Sequence, residues 1–275
     1  MTEEMTLLAE GGVILLGCGK MGGAMLDGWL AAGLPPSSVT VIDPGVGDYL
    51  RALQEKGVSL NPQMLRGAAV CVLAVKPQMM AAALPQVARL AGEGTLFLSI
   101  AAGLPIKFFE DALGPRTIVI RAMPNTPAAV GRGITALIGN KAVDDMGMRL
   151  AEALASAVGE CVRLDDESQM DAVTGVSGSG PAYVFNMIEA LAAAGEAEGL
   201  PPELAMTLAR ATVSGAGELA ARAGESAAQL RINVTSPGGT TAAALGVLMD
   251  EDAGLAPLMR KAVAAAAARS RELAG

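Results

Sequence analysis

Two different patterns of apolar and polar residues divide the chain. Through residue 164, short apolar runs alternate with segments of helical spacing. The runs predict strands at residues 13–16, 39–42, 70–75, 96–100, 117–121, 134–138 and 161–164. Helices are expected between them, the first ending at Gly33 and others at about 48–56, 77–90 and 144–158. This alternation predicts an α/β domain at residues 1–164, with a doubly wound and mostly parallel sheet.

The second pattern begins after residue 164, where strand signals almost disappear. Helical patterns follow at about 166–174, 181–198, 203–223, 226–232, 240–249 and 251–273. Most are rich in Ala, Leu and Met with few charges, and helices this apolar need another surface to cover them. We therefore expect residues 165–275 to form an all-α C-terminal domain that dimerises, with its apolar helices buried against a second subunit.

Composition narrows the class of protein. The 275 residues are 52% hydrophobic, and the net charge is −8 with a sequence pI of about 4.7. The lack of a basic stripe argues against nucleic acid as a partner. The acidic N-terminus does not have the features of a signal peptide, and the apolar runs are too short or broken for a membrane span. These features predict a cytoplasmic protein.

Two residue types limit the chemistry. The chain has no histidine, which excludes any mechanism that needs an imidazole base. Its cysteines, Cys18, Cys71 and Cys161, are widely spaced and lack metal-type pairing. We therefore expect free thiols in a reducing compartment, with neither a disulfide scaffold nor a metal site.

A glycine-rich motif lies between the first predicted strand and the first predicted helix. Gly17, Gly19 and Gly22 form G-x-G-x-x-G, in which the glycines allow a tight turn, close approach to a pyrophosphate and close helix–strand packing. An ordinary glycine-rich turn is the alternative. The position at the start of a βαβ unit favours a Rossmann-like domain that binds a dinucleotide. The candidate cofactor-binding turn is Gly17, Cys18, Gly19, Lys20, Met21 and Gly22.

Asp43 ends the second strand, about twenty residues beyond the glycines, where an acidic residue accepts hydrogen bonds from the adenosine ribose. Asp-Pro-Gly is equally good turn chemistry, so both interpretations stay open.

Two later loops also follow strands, at residues 74–78 and 121–128. Lys76 is a candidate neighbour of the cofactor or simply a solvated lysine. The candidate cofactor residues in these loops are Ala74, Val75, Lys76, Pro77 and Asn125.

Two segments of the helical half combine small and hydroxyl residues just before a helix. They are GVSGSGPAY at 175–183 and VTSPGGTT at 234–241. Free backbone N–H groups at a helix start bind an anion well, and a small carboxylate is the obvious candidate. N-capping by Ser and Thr is the alternative. The consecutive glycines favour a ligand at the second segment. The candidate substrate residues are Ser179, Ser236, Gly238, Gly239, Thr240 and Thr241.

These motifs, together with SIAAG at 99–103, resemble those of the pyrroline-5-carboxylate reductase family, and the resemblance spans nearly the whole chain. It implies reduction of the C=N bond of 1-pyrroline-5-carboxylate to L-proline, the last step of proline biosynthesis, with NADPH or NADH. It also implies a helical domain that interlocks two subunits, an active site at the dimer interface, and dimers that can assemble further. Ser236, Gly239 and Thr240 would hold the substrate carboxylate, and Thr241, the candidate catalytic residue, would hydrogen-bond the ring nitrogen.

The chain departs from the family at Asp43, where members often have Ser, Thr or Asn. We therefore expect NADH to be used at least as well here as in typical relatives.

One rival function is a β-hydroxyacid dehydrogenase, which uses a lysine for acid–base work. This chain has no lysine between Lys141 and Lys261, which counts against that rival. A dinucleotide-binding protein without catalysis is a second alternative, and the intact segment from Ser236 to Thr241 counts against it.

Overall fold

The computed structural model describes residues 2–274. These residues form two compact units, of which the first runs from the N-terminus to Gly178 and is completed by the residues from Ala266 onward. The second unit is Ser179–Ala265. The predicted domain boundary after residue 164 stays a prediction.

An eight-stranded sheet forms the centre of the first unit. Its strands, in chain order, are β1 Val13–Leu16, β2 Val39–Ile42, β3 Ser59–Leu60, β4 Val70–Leu73, β5 Leu96–Ser99, β6 Ile118–Met123, β7 Gly133–Gly139 and β8 Gly159–Arg163. The spatial order is β3-β2-β1-β4-β5-β6-β7-β8. All neighbouring pairs are parallel except β6 and β7, which are antiparallel. The expected doubly wound, mostly parallel sheet is confirmed, and the reversal of strand order beside β1 places a crevice there.

Helices cover this sheet. In the first unit they are α1 Glu3–Gly11, α2 Lys20–Ala31, α3 Asp48–Glu55, α4 Pro77–Ala83, α5 Ile106–Leu113, α6 Asp145–Ser156 and α7 Met170–Val173. The apolar side chains form two buried clusters. Trp29 of α2 is fully buried in one cluster, where its indole Nε1 donates to the Leu154 carbonyl of α6 at 2.9 Å. Phe97 and Phe109 are fully buried in the other.

The expected helix at 77–90 is wrong in its second half. α4 ends at Ala83, and 3-10 turns follow at Leu84–Gln86 and Ala88–Gly92. Pro85 explains the break, because its ring clashes with the preceding turn and it has no N–H to donate. The loop expected after residue 121 also begins later, because β6 continues to Met123.

Three elements have no counterpart in the sequence-based prediction. They are α1, α5 and the two-residue strand β3. The α1 helix begins with Thr2, whose hydroxyl accepts from the Met5 N–H, followed by Glu3 and Glu4 in its first turn. A capping hydroxyl followed by two acidic residues makes a good helix N-terminus.

Helices make up the second unit: α8 Gly180–Ala197, α9 Pro202–Arg222, α10 Ala227–Asn233, α11 Thr240–Leu248 and the first part of α12, Leu255–Ala274. Its all-α character is confirmed. α8 packs on α9, and the helices approach closely, since a Cβ on Gly195 would lie 3.4 Å from that of Ala205. In the single chain, Phe185 and Val247 are 60% and 74% exposed. Within residues 2–274, no helix has the length and apolar character needed to cross a bilayer.

Candidate cofactor and substrate sites

The glycine-rich turn joins β1 to α2 at the carboxyl end of the sheet. Gly17 adopts φ +88°, a left-handed conformation that favours glycine, and its N–H donates to the Ile42 carbonyl at 2.8 Å. A Cβ on Gly17 would lie 2.7 Å from Val75 Cγ1 and 3.0 Å from the Ala74 carbonyl. The turn therefore requires glycine for backbone conformation and for its contact with the loop after β4.

Gly22 and Gly19 serve different purposes. A Cβ on Gly22 would lie 2.6 Å from the Gly17 carbonyl oxygen and 3.3 Å from Ala74 Cβ, so this glycine lets α2 approach the sheet. Gly19 is the exposed N-cap of α2. Chain neighbours aside, no described heavy atom lies within 4 Å of a Cβ built there. Open space at a helix N-terminus fits a pyrophosphate, whose charge the oriented N–H groups would stabilise.

The other residues of the turn surround this space. Lys20 is exposed in the first turn of α2, while Cys18 and Met21 are half-buried. The loop after β4 lies beside it: Ala74 N–H donates to the Leu16 carbonyl at 2.8 Å, and Lys76 is exposed before Pro77, the first residue of α4. The strand ends thus bring the predicted cofactor residues together, except Asn125.

Asn125 is buried, and its amide is occupied within the protein. Its Oδ1 accepts from the Ile134 N–H at 2.9 Å, and its Nδ2 donates to the Ser177 carbonyl at 3.2 Å. These bonds tie the loop after β6 to β7 and to the π-helical turn Thr174–Gly178. Its direct cofactor role stays a prediction, and the structure gives it a clear structural role.

Asp43 is held against the glycine-rich turn. Its Oδ2 accepts from the Cys18 N–H at 2.6 Å, and its Oδ1 accepts from the Gly45 N–H at 2.7 Å. Asn61, just after β3, holds the backbone of Asp43 through two further bonds, from Asp43 N–H to Asn61 Oδ1 at 3.0 Å and from Asn61 Nδ2 to the Asp43 carbonyl at 2.8 Å. The turn chemistry expected of Asp-Pro-Gly is therefore present. The carboxylate also contacts the glycine-rich turn of residues 17–22, which we call the glycine cradle.

Cys18 packs against the apolar core on one side and lies near two carboxylates, Asp43 and Asp27. Burial, with the charges of Asp43 and Asp27 in addition, raises the pKa of the Cys18 thiol to about 11. Asp27 also accepts a hydrogen bond from the Tyr49 hydroxyl at 2.8 Å. Burial and this bond raise the pKa of Tyr49 as well. Cys18, Cys71 and Cys161 are all free thiols, as expected.

The second candidate site is the N-terminus of α11. Gly238 adopts φ +68°, Gly239 is the N-cap, and Thr240 and Thr241 are the first helical residues. The first intrahelical bond runs from Ala243 N–H to the Gly239 carbonyl, so the earlier N–H groups have no acceptor within the helix. No described side chain caps them. Ser236 and Thr240 are exposed and Thr241 is half-buried, so N–H and hydroxyl donors converge on an accessible end.

Ser179 lies at the start of the second unit, immediately before α8, and its side chain makes no capping bond there. Before it, the expected helix at 166–174 is divided into a 3-10 turn at Glu167–Gln169, α7 and the π-helical turn. Contact between Ser179 and the substrate stays a prediction, and so do the substrate contacts of residues 236–241.

Sequence reasoning missed a partly buried ion pair. Arg121 is 5% exposed, and its guanidinium contacts Glu167 Oε1 at 2.9 Å. The same oxygen accepts from the Ile106 N–H at 2.8 Å, at the start of α5. A Glu that pairs with an Arg 46 residues earlier carries no local sequence signal. The role of Asn61 was missed for the same reason.

Two family models match successive parts of the chain. Residues 167–273 match the family model for pyrroline-5-carboxylate reductase dimerisation, and residues 12–103 match the model described as NADP oxidoreductase coenzyme F420-dependent. The chain is 43% identical over 265 residues to the pyrroline-5-carboxylate reductase of Synechocystis sp., with 94% of this chain and 97% of the relative covered.

Solved structures show the same similarity. A pyrroline-5-carboxylate reductase from Coxiella burnetii has a TM-score of 0.89 and 36% identity, with 96% of this chain and 99% of that chain covered. The Plasmodium falciparum pyrroline carboxylate reductase with NADP bound has a TM-score of 0.80 and 27% identity, with 96% and 98% covered. The resemblance found in the motifs is thereby confirmed: this chain belongs to the pyrroline-5-carboxylate reductase family.

Proposed function

We propose that this protein reduces the C=N bond of 1-pyrroline-5-carboxylate to give L-proline, with NADPH or NADH as the reductant. The observation that carries the proposal is the presence, in a member of this family, of two helix N-termini with the chemistry of anion sites. The N-terminus of α2 has a glycine cradle suited to a pyrophosphate, and that of α11 offers N–H and hydroxyl donors suited to a small carboxylate.

The cofactor supplies a hydride when it is bound. The chain's own residues do the positioning: Gly17 and Gly22 bring the backbone of the turn close to the sheet, and Gly19 leaves room for the pyrophosphate. Ala74 and Val75 form the adjacent wall of the cradle. This division of work agrees with the absence of histidine, because reduction of a cyclic imine does not require an imidazole base.

The segment at the N-terminus of α11 would bind the substrate. The backbone N–H groups of Thr240 and Thr241 and the hydroxyl of Ser236 would hold the carboxylate, and the Thr241 hydroxyl would hydrogen-bond the ring nitrogen. Fixing the acid in one orientation presents a single face of the C=N bond to the reductant. A protein of net charge −8 can bind an acid in this way because the local field of the helix end dominates.

The functional unit that we propose is a homodimer. Large apolar side chains exposed on the helices of the second unit, such as Phe185, Leu208 and Val247, support this assembly, together with the match to a dimerisation family. We place the protein in the cytoplasm, which agrees with its three free thiols.

Steady-state turnover of 1-pyrroline-5-carboxylate with each reduced nicotinamide tests this proposal. Thr241→Val removes the hydroxyl and keeps the shape, while Thr241→Ser keeps the hydroxyl and serves as the matched control. Thr241→Val should lower kcat/KM by roughly 10- to 100-fold, the usual effect of losing one hydrogen bond to a group that is charged or becomes charged in the reaction. Thr241→Ser should retain most of the activity. Equal activity of the two variants would remove Thr241 from the proposed site.

A further inference from the structure

The carboxylate of Asp43 is fixed more firmly than an ordinary turn requires. Both of its oxygens accept a backbone N–H, from Cys18 and Gly45. Glycine at residue 45 favours this close approach, since a Cβ there would make a tight contact of 3.2 Å with Asp43 Oδ1. A carboxylate has about four lone-pair positions, so each oxygen retains a free one. Two oriented acceptors therefore stand beside the first residues of the cradle.

Asn61 determines where this carboxylate stands. It forms two hydrogen bonds with the backbone of Asp43, and its own N–H donates to the Val41 carbonyl at 2.9 Å. Among the described residues it is the one non-glycine position with positive φ, at 45°. A residue held in this sparsely populated region indicates a local constraint. The constraint here locks the end of β2 to the residue after β3.

The segment that follows Asp43 carries no positive charge. Residues 44–49, which follow the strand, include Asp48 but no Lys or Arg. Burial raises the pKa of the Cys18 thiol, and the negative charges of Asp43 and Asp27 raise it further. A phosphate on the ribose 2′ position would add about 1.5 to 2 negative charges beside a carboxylate that two backbone N–H groups hold in place. Two ribose hydroxyls would instead find two oriented acceptors.

From this geometry we propose that Asp43 makes the chain selective for the nicotinamide dinucleotide that lacks the 2′-phosphate, and that Asn61 is the positioning residue for that selectivity. The inference rests on the proposed function, because it assigns the cofactor of that same reaction. It also distinguishes this chain from the Plasmodium falciparum relative, whose structure has NADP bound.

Calorimetric titration of the full-length protein with NAD⁺ and NADP⁺, without substrate, tests this proposal independently of turnover. The wild type should bind NAD⁺ more tightly, by roughly 10-fold or more, given like-charge repulsion at a partly exposed site. Asp43→Ser removes the charge and should shift the NADP⁺-to-NAD⁺ ratio of dissociation constants toward NADP⁺ by roughly 10- to 100-fold. Asp48→Asn removes a neighbouring exposed charge and should leave the ratio within about twofold of the wild type.

Asn61→Gly isolates the positioning role, since glycine accepts the left-handed backbone and lacks the amide. The ratio should shift toward NADP⁺ by roughly 3- to 10-fold in the wild-type background and should not shift further in Asp43→Ser, because Asn61 acts through Asp43. A purely structural role would weaken both nucleotides alike and leave the ratio unchanged, which would remove Asn61 from the proposal.

Two results separate failure of the inference from failure of the function. Equal or tighter binding of NADP⁺ by the wild type would overturn the selectivity and leave the proposed reductase intact. Binding of neither nucleotide to the folded protein would overturn both.

Discussion

Two glycines of the cofactor turn, only two residues apart, should respond in opposite ways to the same substitution. Gly17 has φ +88°, and a Cβ there would lie 2.7 Å from Val75 Cγ1. Gly19 has ordinary extended backbone, φ −73° and ψ −164°, and open space around a Cβ. Gly17→Ala should therefore damage the fold, whereas Gly19→Ala should damage ligand binding.

The magnitudes follow from these contacts. In Gly17→Ala, the left-handed conformation costs about 1–2 kcal/mol and the crowding about 1–3 kcal/mol, so we expect a loss of roughly 2–5 kcal/mol in the free energy of unfolding. At about 2–4 °C per kcal/mol for a chain of this size, Tm should fall by roughly 4–20 °C. Gly19→Ala should cost at most about 1 kcal/mol, the usual effect of a poorer N-cap.

Thermal unfolding without ligand and calorimetric titration with NAD⁺ separate these effects. Gly19→Ala should keep a Tm near that of the wild type. It should bind NAD⁺ more weakly, by roughly 10-fold or more, because its methyl group would occupy the place of the pyrophosphate. If Gly19→Ala binds NAD⁺ like the wild type, the cradle does not hold the pyrophosphate. If Gly17→Ala unfolds at the wild-type temperature, the conformation assigned to the turn is wrong.

Three further perturbations have definite expected results. Trp29→Phe removes the donor to the buried Leu154 carbonyl and should lower the free energy of unfolding by about 1–3 kcal/mol in urea; an unchanged midpoint would contradict that hydrogen bond. The Cys18 thiol, with its pKa raised from 9.0 to about 11, should react with iodoacetamide ever faster up to about pH 11. Its ionisation in the unfolded chain near pH 9 should also lower stability between pH 9 and 11, and a labelling plateau near pH 9 would refute both statements. Phe185→Glu places a charge on an exposed apolar residue and should convert the dimer into a monomer by light scattering; a variant that stays dimeric would show that Phe185 lies outside the interface.

Most of the sheet could be predicted from sequence because its strands are short, continuous apolar runs. The runs at residues 13–16 and 39–42 coincide with β1 and β2, since buried parallel strands admit few polar residues. β3 has two half-buried residues and gives no such signal. The expected helix at 77–90 failed where Pro85 outweighed a favourable apolar spacing.

The candidate sites were predictable where glycine and hydroxyl residues adjoin a helix start. The spacing of Gly17, Gly19 and Gly22 predicts a separate purpose for each, and the close contacts at Gly17 and Gly22 and the open space at Gly19 are consistent with those purposes. Contacts between distant segments could not be predicted in this way. Asn61 meets Asp43 across 18 residues, and Glu167 meets Arg121 across 46, through a geometry that exists only in the folded chain.

Transfer of a hydride to a cyclic imine acid is tested most directly with NADH deuterated at the transferable position of its nicotinamide. The purified protein, incubated with this cofactor and 1-pyrroline-5-carboxylate, should form L-proline that carries deuterium on the ring carbon of the former C=N bond. The amount of L-proline should equal the amount of NADH consumed. Failure of the folded dimer to form labelled L-proline, with deuterated NADPH as well as with deuterated NADH, would contradict the proposed function.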